Sequence, residues 1–210
     1  MKNKKAFFQT GKKDIYYFAD NLELCRKLLD GGAKIIQLRE KNIDDRGFYN
    51  LAERMLSLVR KYNEAILIIN DRVEAALELK ADGVHIGQGD ENFHKVINRL
   101  PDDMIVGVSA HNTKEALDAE QAGATYLGVG AAFSTPTKPD ASVIGIEGLR
   151  SIVKAVSVPV VAIGGISLEN IQSVIKTGAQ FYAIISQINN AKDISARMAE
   201  FFKLIREKES

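Results

Sequence analysis

The chain has 210 residues, 46% hydrophobic and 26% charged, an ordinary composition for one globular domain with room for a sizeable core. Its 28 basic and 27 acidic residues leave a net charge of +1, so no general field draws nucleic acid or an anionic membrane, and any anion site must be local. One cysteine, Cys25, excludes an intramolecular disulfide. The N-terminus lacks the apolar run of a signal peptide, and no stretch approaches the ~20 apolar residues of a membrane span. These features point to the cytoplasm.

Along the chain, short β-branched or aromatic runs alternate with longer amphipathic stretches. The runs at 15–19, 35–38, 66–69, 84–86, 104–108, 126–129, 160–163 and 181–185 are too short for helices and read as strands. Between them, segments such as 45–61 and 113–122 carry helical periodicity. Helix starts are marked by Asp20 or Asn21, by Asp44, by Asn112 or Thr113, and by Ser167 with Asn170. Alternate strands follow Gly32-Ala33, Gly83-Val84, Gly123-Ala124 and Gly178-Ala179, each glycine expected to close the preceding helix in the left-handed conformation. A βαβα unit used four times predicts a single-domain α/β fold over residues 1–210, a closed parallel (β/α)₈ TIM barrel. An open doubly wound sheet is the alternative. Residues 1–13 and 206–210 are expected to be flexible ends.

In such a barrel the chemistry sits where strands end. Strand two continues into Ile36-Gln37-Leu38-Arg39-Glu40-Lys41, and alternation puts Gln37, Arg39 and Lys41 on the side of the barrel mouth. Cations facing a barrel interior are expensive without an anion to bind. The competing reading is a solvated strand end with a salt bridge to Glu40 or Asp71. Strand three ends in Asn70-Asp71, and strand four is followed by Gly87-Gln88-Gly89-Asp90. Asp71 and Asp90 could share Mg²⁺, a hard ion that takes one or two carboxylates, or could simply cap helices. Strand five ends in Ser109-Ala110-His111, whose hydroxyl could donate to a phosphate and whose histidine reads first as a helix-start or loop residue. The loop after strand six offers Thr135, Thr137 and Lys138. Gly164-Gly165 after strand seven and Ser186 after strand eight match the fold's common phosphate site. A cationic site for a diphosphate and a neutral backbone site for a monophosphate imply transfer between two phosphorylated small molecules.

These residues resemble the thiamine phosphate synthase family from Tyr16 to about Ile188. The matching motifs are Gln37-Leu38-Arg39-Glu40-Lys41, Ile69-Asn70-Asp71-Arg72, Gly83-Val84-His85-Ile86-Gly87-Gln88 with Asp90, Val108-Ser109-Ala110-His111, Thr135-Pro136-Thr137-Lys138 and Gly164-Gly165-Ile166. The resemblance implies a Mg²⁺-dependent transferase of thiamine biosynthesis. It would join hydroxymethylpyrimidine diphosphate to a thiazole phosphate, giving thiamine phosphate and pyrophosphate. By carry-over, Arg39, Lys41, Asn70, Ser109 and Lys138 hold the diphosphate, with Arg39, Lys41, Ser109 and Lys138 acting in catalysis. Gln37 contacts the pyrimidine or its diphosphate, and Asp71 and Asp90 bind Mg²⁺. Thr135 and Thr137 face the thiazole, with Gly165 and Ser186 on its phosphate. The implied partners are these small molecules, with no nucleic acid and no membrane, and assembly is left open to a homo-oligomer. Two departures from the family pattern bear on the thiazole side: Ala131-Ala132 after Gly130, and Gln187 after Ser186. The nearest alternative is a thiazole tautomerase on the same barrel, with His111 as proton carrier. A second is a non-catalytic sensor that binds a thiamine precursor.

Overall fold

In the computed structural model, residues 5, 8, 13–89, 92–135 and 142–206 are described. Their eight strands pair in parallel and in chain order, and β1 also pairs with β8, so the sheet closes on itself. The strands are β1 (Asp14–Ala19), β2 (Ile35–Leu38), β3 (Ile66–Asn70), β4 (Gly83–Ile86), β5 (Ile105–Ala110), β6 (Tyr126–Val129), β7 (Val160–Ile163) and β8 (Phe181–Ala183). The helices among the described residues are α1 (Leu22–Asp30), α2 (Asp45–Val59), α3 (Val73–Glu78), α4 (Phe93–Ile97), α5 (Thr113–Ala122), α6 (Gly145–Ala155), α7 (Ile171–Ile175), α8 (Ser186–Asn189) and α9 (Ile194–Arg206). The chain is a single-domain (β/α)₈ barrel. None of these helices is long and apolar enough to cross a membrane.

Strand alternation sorts the interior into two sets. Ile15, Tyr17, Ile36, Leu38, Leu67, Ile69, Val84, Val106, Leu127 and Ala162 point outward and form one continuous core with the apolar stripes of the helices. Tyr16, Phe18, Ile35, Ile66, Ile68, Ile105, Tyr126, Val161 and Phe181 point inward and fill the barrel itself. Phe8 belongs to this inner set. Its ring is buried and stacks on Tyr126 at 4.4 Å, although it lies in the segment expected to be flexible.

Several local signals act as expected. Asn21, Asp44 and Asn112 cap α1, α2 and α5, accepting from the backbone N–H of Leu24, Gly47 and Glu115. Gly32, Gly123 and Gly178 have φ of 92°, 103° and 93°, left-handed as helix closers should be.

Gly83 departs from this pattern. It is the first residue of β4, and Lys80, at φ 51°, makes the left-handed turn instead. A Cβ on Gly83 would lie 2.5 Å from the Ile105 carbonyl oxygen, so glycine serves strand packing here, not helix closure. The start expected at Ser167 also shifts. Helix α7 opens at Ile171, and Asn170 Oδ1 accepts from the Ser167 N–H, building the turn that precedes it. Strand β5 starts one residue late, at Ile105, and reaches Ala110, whereas β8 stops at Ala183, two residues short of the expected end.

Candidate active site

The ends of the strands surround one pocket that brings together every described residue the sequence placed in the site. Gln37, Arg39, Lys41, Asn70, Asp71, Ser109, Thr135, Gly165 and Ser186 all line it. Asp90, Thr137 and Lys138 lie outside the described residues.

The cationic side is built from β2 and β3. Arg39 follows β2 directly, its N–H bonded to the Ala19 carbonyl, so the sheet ladder continues to the residue that carries the guanidinium. Lys41 lies on the loop beyond, with Nζ 3.4 Å from Asp71 Oδ2. The salt bridge of the competing reading therefore forms, inside the pocket and not in place of it. Arg72 braces this loop. Its guanidinium bonds Asp45 and the Ile43 carbonyl and lies 4.4 Å from the centre of the Phe48 ring, tying the end of β3 to the start of α2.

Asp71 does not cap a helix. The N-cap of α3 is Arg72, whose side chain makes no cap bond. Asp71 instead takes a left-handed backbone, φ 60°, which aspartate tolerates better than most residues. Its Oδ2 accepts from Asn70 Nδ2 at 2.5 Å. The carboxylate thus lines the pocket, held by its neighbour and facing Lys41. Among the described residues no group of three or more His, Cys, Asp or Glu side chains could hold a metal. One carboxylate in the pocket is compatible with Mg²⁺, an ion that keeps several waters and is often held by one or two carboxylates.

Across the pocket the donors are backbone. Gly164 and Gly165 have φ of 102° and 60°. A Cβ on Gly165 would stand 2.5 Å from the Ser134 carbonyl oxygen and 2.8 Å from Phe133 Cβ. The β7–α7 turn therefore packs directly against the β6 loop. Asn170 Nδ2 donates to the Gly165 carbonyl at 2.8 Å and fixes the turn. Ser186 opens α8, and its N-cap residue, Ile185, offers no side-chain cap bond. Gln187 turns towards α9, its Oε1 accepting from Arg197 Nη1 at 3.1 Å, and does not line the pocket.

His85 lies at the floor of the pocket. Its Nδ1 is 3.0 Å from the Tyr126 hydroxyl and its Nε2 is 3.0 Å from Ser109 Oγ. Gly107 and Gly128 make room for the imidazole. A Cβ on the first would be 2.4 Å from His85 Nδ1, and on the second 2.8 Å from His85 Cε1. His111 also lines the pocket, but both its N–H and its Nδ1 contact Glu115 Oε2, at 2.8 and 3.0 Å. Burial works to raise the Glu115 carboxyl, and hydrogen bonds from the His111 backbone, the His111 ring and Asn112 outweigh it, holding the group below the usual carboxylate range.

The family model described as thiamine monophosphate synthase matches residues 7–188. The chain belongs to the thiamine monophosphate synthase family. A relative named thiamine-phosphate synthase from Pyrococcus furiosus is 43% identical over 186 residues, covering 89% of each chain. Another of that name, from Clostridium novyi, is 46% identical over 173 residues, covering 82% of this chain and 84% of its own. The solved structure of thiamine phosphate pyrophosphorylase from Pyrococcus furiosus matches with a TM-score of 0.84 at 39% identity, covering 94% of this chain and 96% of that one. A 3-hexulose-6-phosphate synthase at 18% identity and TM-score 0.65 shares the fold alone.

For this member of the thiamine monophosphate synthase family, the tautomerase alternative gains no support, because the matching relatives are named thiamine-phosphate synthase. The residue that sequence reasoning passes over is His85, which stands there inside a motif with no role attached. A signal exists, since 85 shares inward parity with 83 on β4, and glycines stand at inward positions of β5 and β6.

Proposed function

We propose that the chain catalyses the Mg²⁺-dependent condensation of hydroxymethylpyrimidine diphosphate with thiazole phosphate, giving thiamine phosphate and pyrophosphate. The observation that carries this reading is that one pocket holds two sets of residues suited to anions. Arg39 and Lys41 with Asp71 stand on one side, and the Gly165 turn with Ser186 on the other. The name shared by relatives that span most of their own length supports the same reaction.

In this reading the carbon–oxygen bond between the pyrimidine methylene and the diphosphate breaks, and its electron pair leaves on oxygen. The thiazole nitrogen then supplies the pair for the new carbon–nitrogen bond. No proton need be removed, so the demand is for charge stabilisation at the departing diphosphate and not for a strong base. Arg39, Lys41, Ser109 and, from the sequence, Lys138 meet that demand, and Asn70 adds an amide donor. Asp71, with Asp90 from the sequence, would hold Mg²⁺, which supplies further neutralisation of the leaving group. Gln37 takes the pyrimidine end. Thr135 and Thr137 take the thiazole, with its phosphate on Gly165 and Ser186.

The reading includes a cytoplasmic location, in keeping with a lone and buried Cys25, and leaves room for a homo-oligomer. The test is to mix the purified protein with both substrates and Mg²⁺ and to detect thiamine phosphate as fluorescent thiochrome, with a chelator control. Metal-dependent product is expected. A folded protein that makes none overturns the reading.

A further inference from the structure

Five buried or half-buried groups on five strands form a continuous hydrogen-bonded chain across the barrel. Gln37 Nε2 donates to the Tyr16 hydroxyl at 2.9 Å. Tyr16 and Tyr126 hydroxyls are 2.6 Å apart. Tyr126 reaches His85 Nδ1, and His85 Nε2 reaches Ser109 Oγ, each at 3.0 Å. The two ends, Gln37 and Ser109, are residues of the proposed site. The middle three carry no role in it.

We propose that this chain runs one way, from Gln37 to Ser109, and that His85 is a positioning residue held as the Nε2–H tautomer so that Ser109 keeps its own proton for an anionic ligand. The proposal rests on the function proposed above, because it takes Ser109 to contact the diphosphate.

The proposed order is the one in which every group donates once, towards Ser109. An amide nitrogen only donates, so the Tyr16 oxygen accepts from Gln37. Tyr16 then has one proton to give, and the Tyr126 oxygen is the acceptor beside it. Tyr126 passes its own proton towards His85 Nδ1. A histidine that accepts at Nδ1 carries its proton on Nε2 and donates there, in this case to Ser109 Oγ. The serine oxygen is satisfied as an acceptor, and its hydroxyl proton is left to point into the pocket. Burial pushes both phenols above their usual range, so each keeps its proton near neutral pH. The reverse order would turn the Gln37 carbonyl to Tyr16 and use the Ser109 proton on His85. Ser109 would then meet a phosphate oxygen with lone pairs alone, which repels it.

The space for this arrangement is specific. Gly107 and Gly128 face His85 so closely that a Cβ at either would collide with the ring. The imidazole therefore fills space that only glycine leaves open.

The test combines a tautomer measurement with two substitutions at one position. Long-range ¹H–¹⁵N correlation on histidine-labelled, ligand-free enzyme reads the state of His85 directly. An unprotonated Nδ1 with a protonated Nε2 is expected, and the Nδ1–H tautomer or an imidazolium overturns the proposal. This readout does not depend on turnover, so it stands or falls apart from the function. For turnover, glutamine at 85 can place an amide N–H near the former Nε2, whereas asparagine can reach only the former Nδ1 position. His85→Gln is expected to keep kcat within about threefold of the native enzyme. His85→Asn, which keeps the contact to Tyr126 and loses Ser109, is expected to lose about tenfold or more, up to the ~10²–10³ of a lost direct donor. The KM for thiazole phosphate should be unchanged in both. If asparagine preserves kcat and glutamine does not, the chain only braces the barrel and the proposal fails. Absence of thiamine phosphate from the native enzyme would instead remove the proposed function while leaving the tautomer assignment to be read.

Discussion

Lys41 and Asp71 face each other across the mouth of the barrel, with Nζ 3.4 Å from Oδ2. The lysine side chain is 56% exposed and the carboxylate 24%, so the pair is well screened. Such pairs contribute about 0–1 kcal/mol, and this one can be exchanged for ligand contacts at little loss. In the proposed function each partner has a stronger ion to bind, diphosphate for the lysine and Mg²⁺ for the carboxylate. Asp71→Asn is therefore expected to raise the Mg²⁺ concentration for half-maximal turnover by about tenfold or more. Lys41→Ala should leave that requirement within about twofold and weaken use of the pyrimidine diphosphate instead. Mg²⁺ titrations of both variants check this, and an unchanged requirement in Asp71→Asn would remove that residue from the metal site.

Arg39→Ala and Lys138→Ala should each lower kcat/KM by about 10²–10³-fold, the loss expected when a preorganised donor to a departing oxyanion is removed. Arg39 lines the pocket and stands outside both hydrophobic clusters. Its truncation should accordingly move the melting temperature by no more than about 2 °C. Steady-state kinetics beside a thermal melt separate the two effects. Near-normal turnover in both variants would contradict the diphosphate assignment.

The fold is legible in the sequence because both of its periodicities are simple. Inward and outward residues alternate strictly on the strands, and Asn21, Asp44 and Asn112 announce their helices. The mouth residues are legible in part for the same reason, since parity turns Gln37 inward and the ladder continues to Arg39, whereas Lys41 lines the pocket from the loop beyond β2. What the sequence hides depends on contacts between distant strands. Gly83 resembles a helix closer because glycine serves both purposes, and only the Ile105 carbonyl oxygen, 2.5 Å from where a Cβ would stand, tells them apart. His85 reads as one letter of a motif, because its partners come from β5 and β6, 24 and 41 residues along the chain. For Asp71 the sequence allows both cap and metal ligand, and the N-cap position of α3 falls instead on Arg72.

Glu115 gives the fold a dependence on acid. Its carboxylate receives the His111 N–H and the Asn112 side chain at the start of α5. Its folded-state pKa lies below the ordinary value of 4.5. The unfolded chain therefore binds the proton more readily, and the stabilisation is present above pH 4.5 and lost as pH falls through the folded value. Glu115→Gln, which cannot carry the charge, should melt below the native protein near pH 7 by about 2–4 °C, taking about 1 kcal/mol for such helix-start bonds. The gap should narrow as pH falls below 4.5. Melting curves across that range check the sign, and a gap that widens with acid contradicts it.

Gly165 is the sharpest test of the second anion site. Its φ of 60° disfavours any side chain, by about 1–2 kcal/mol for a residue with a Cβ. The added methyl would also meet the Ser134 carbonyl at 2.5 Å and Phe133 Cβ at 2.8 Å, so the turn must shift away from the β6 loop. That shift moves the backbone N–H groups that would receive the thiazole phosphate. It leaves Arg39, Lys41 and Asp71 on the far side of the pocket untouched. Gly165→Ala should therefore raise the KM for thiazole phosphate by about tenfold or more, a loss of about 1.4 kcal/mol, while the KM for the pyrimidine diphosphate changes by less than about twofold. Substrate-saturation curves with each substrate varied in turn distinguish this from general damage, which would raise both. A selective effect on the diphosphate would place the two substrates the other way round in the pocket, with the backbone turn serving the leaving group.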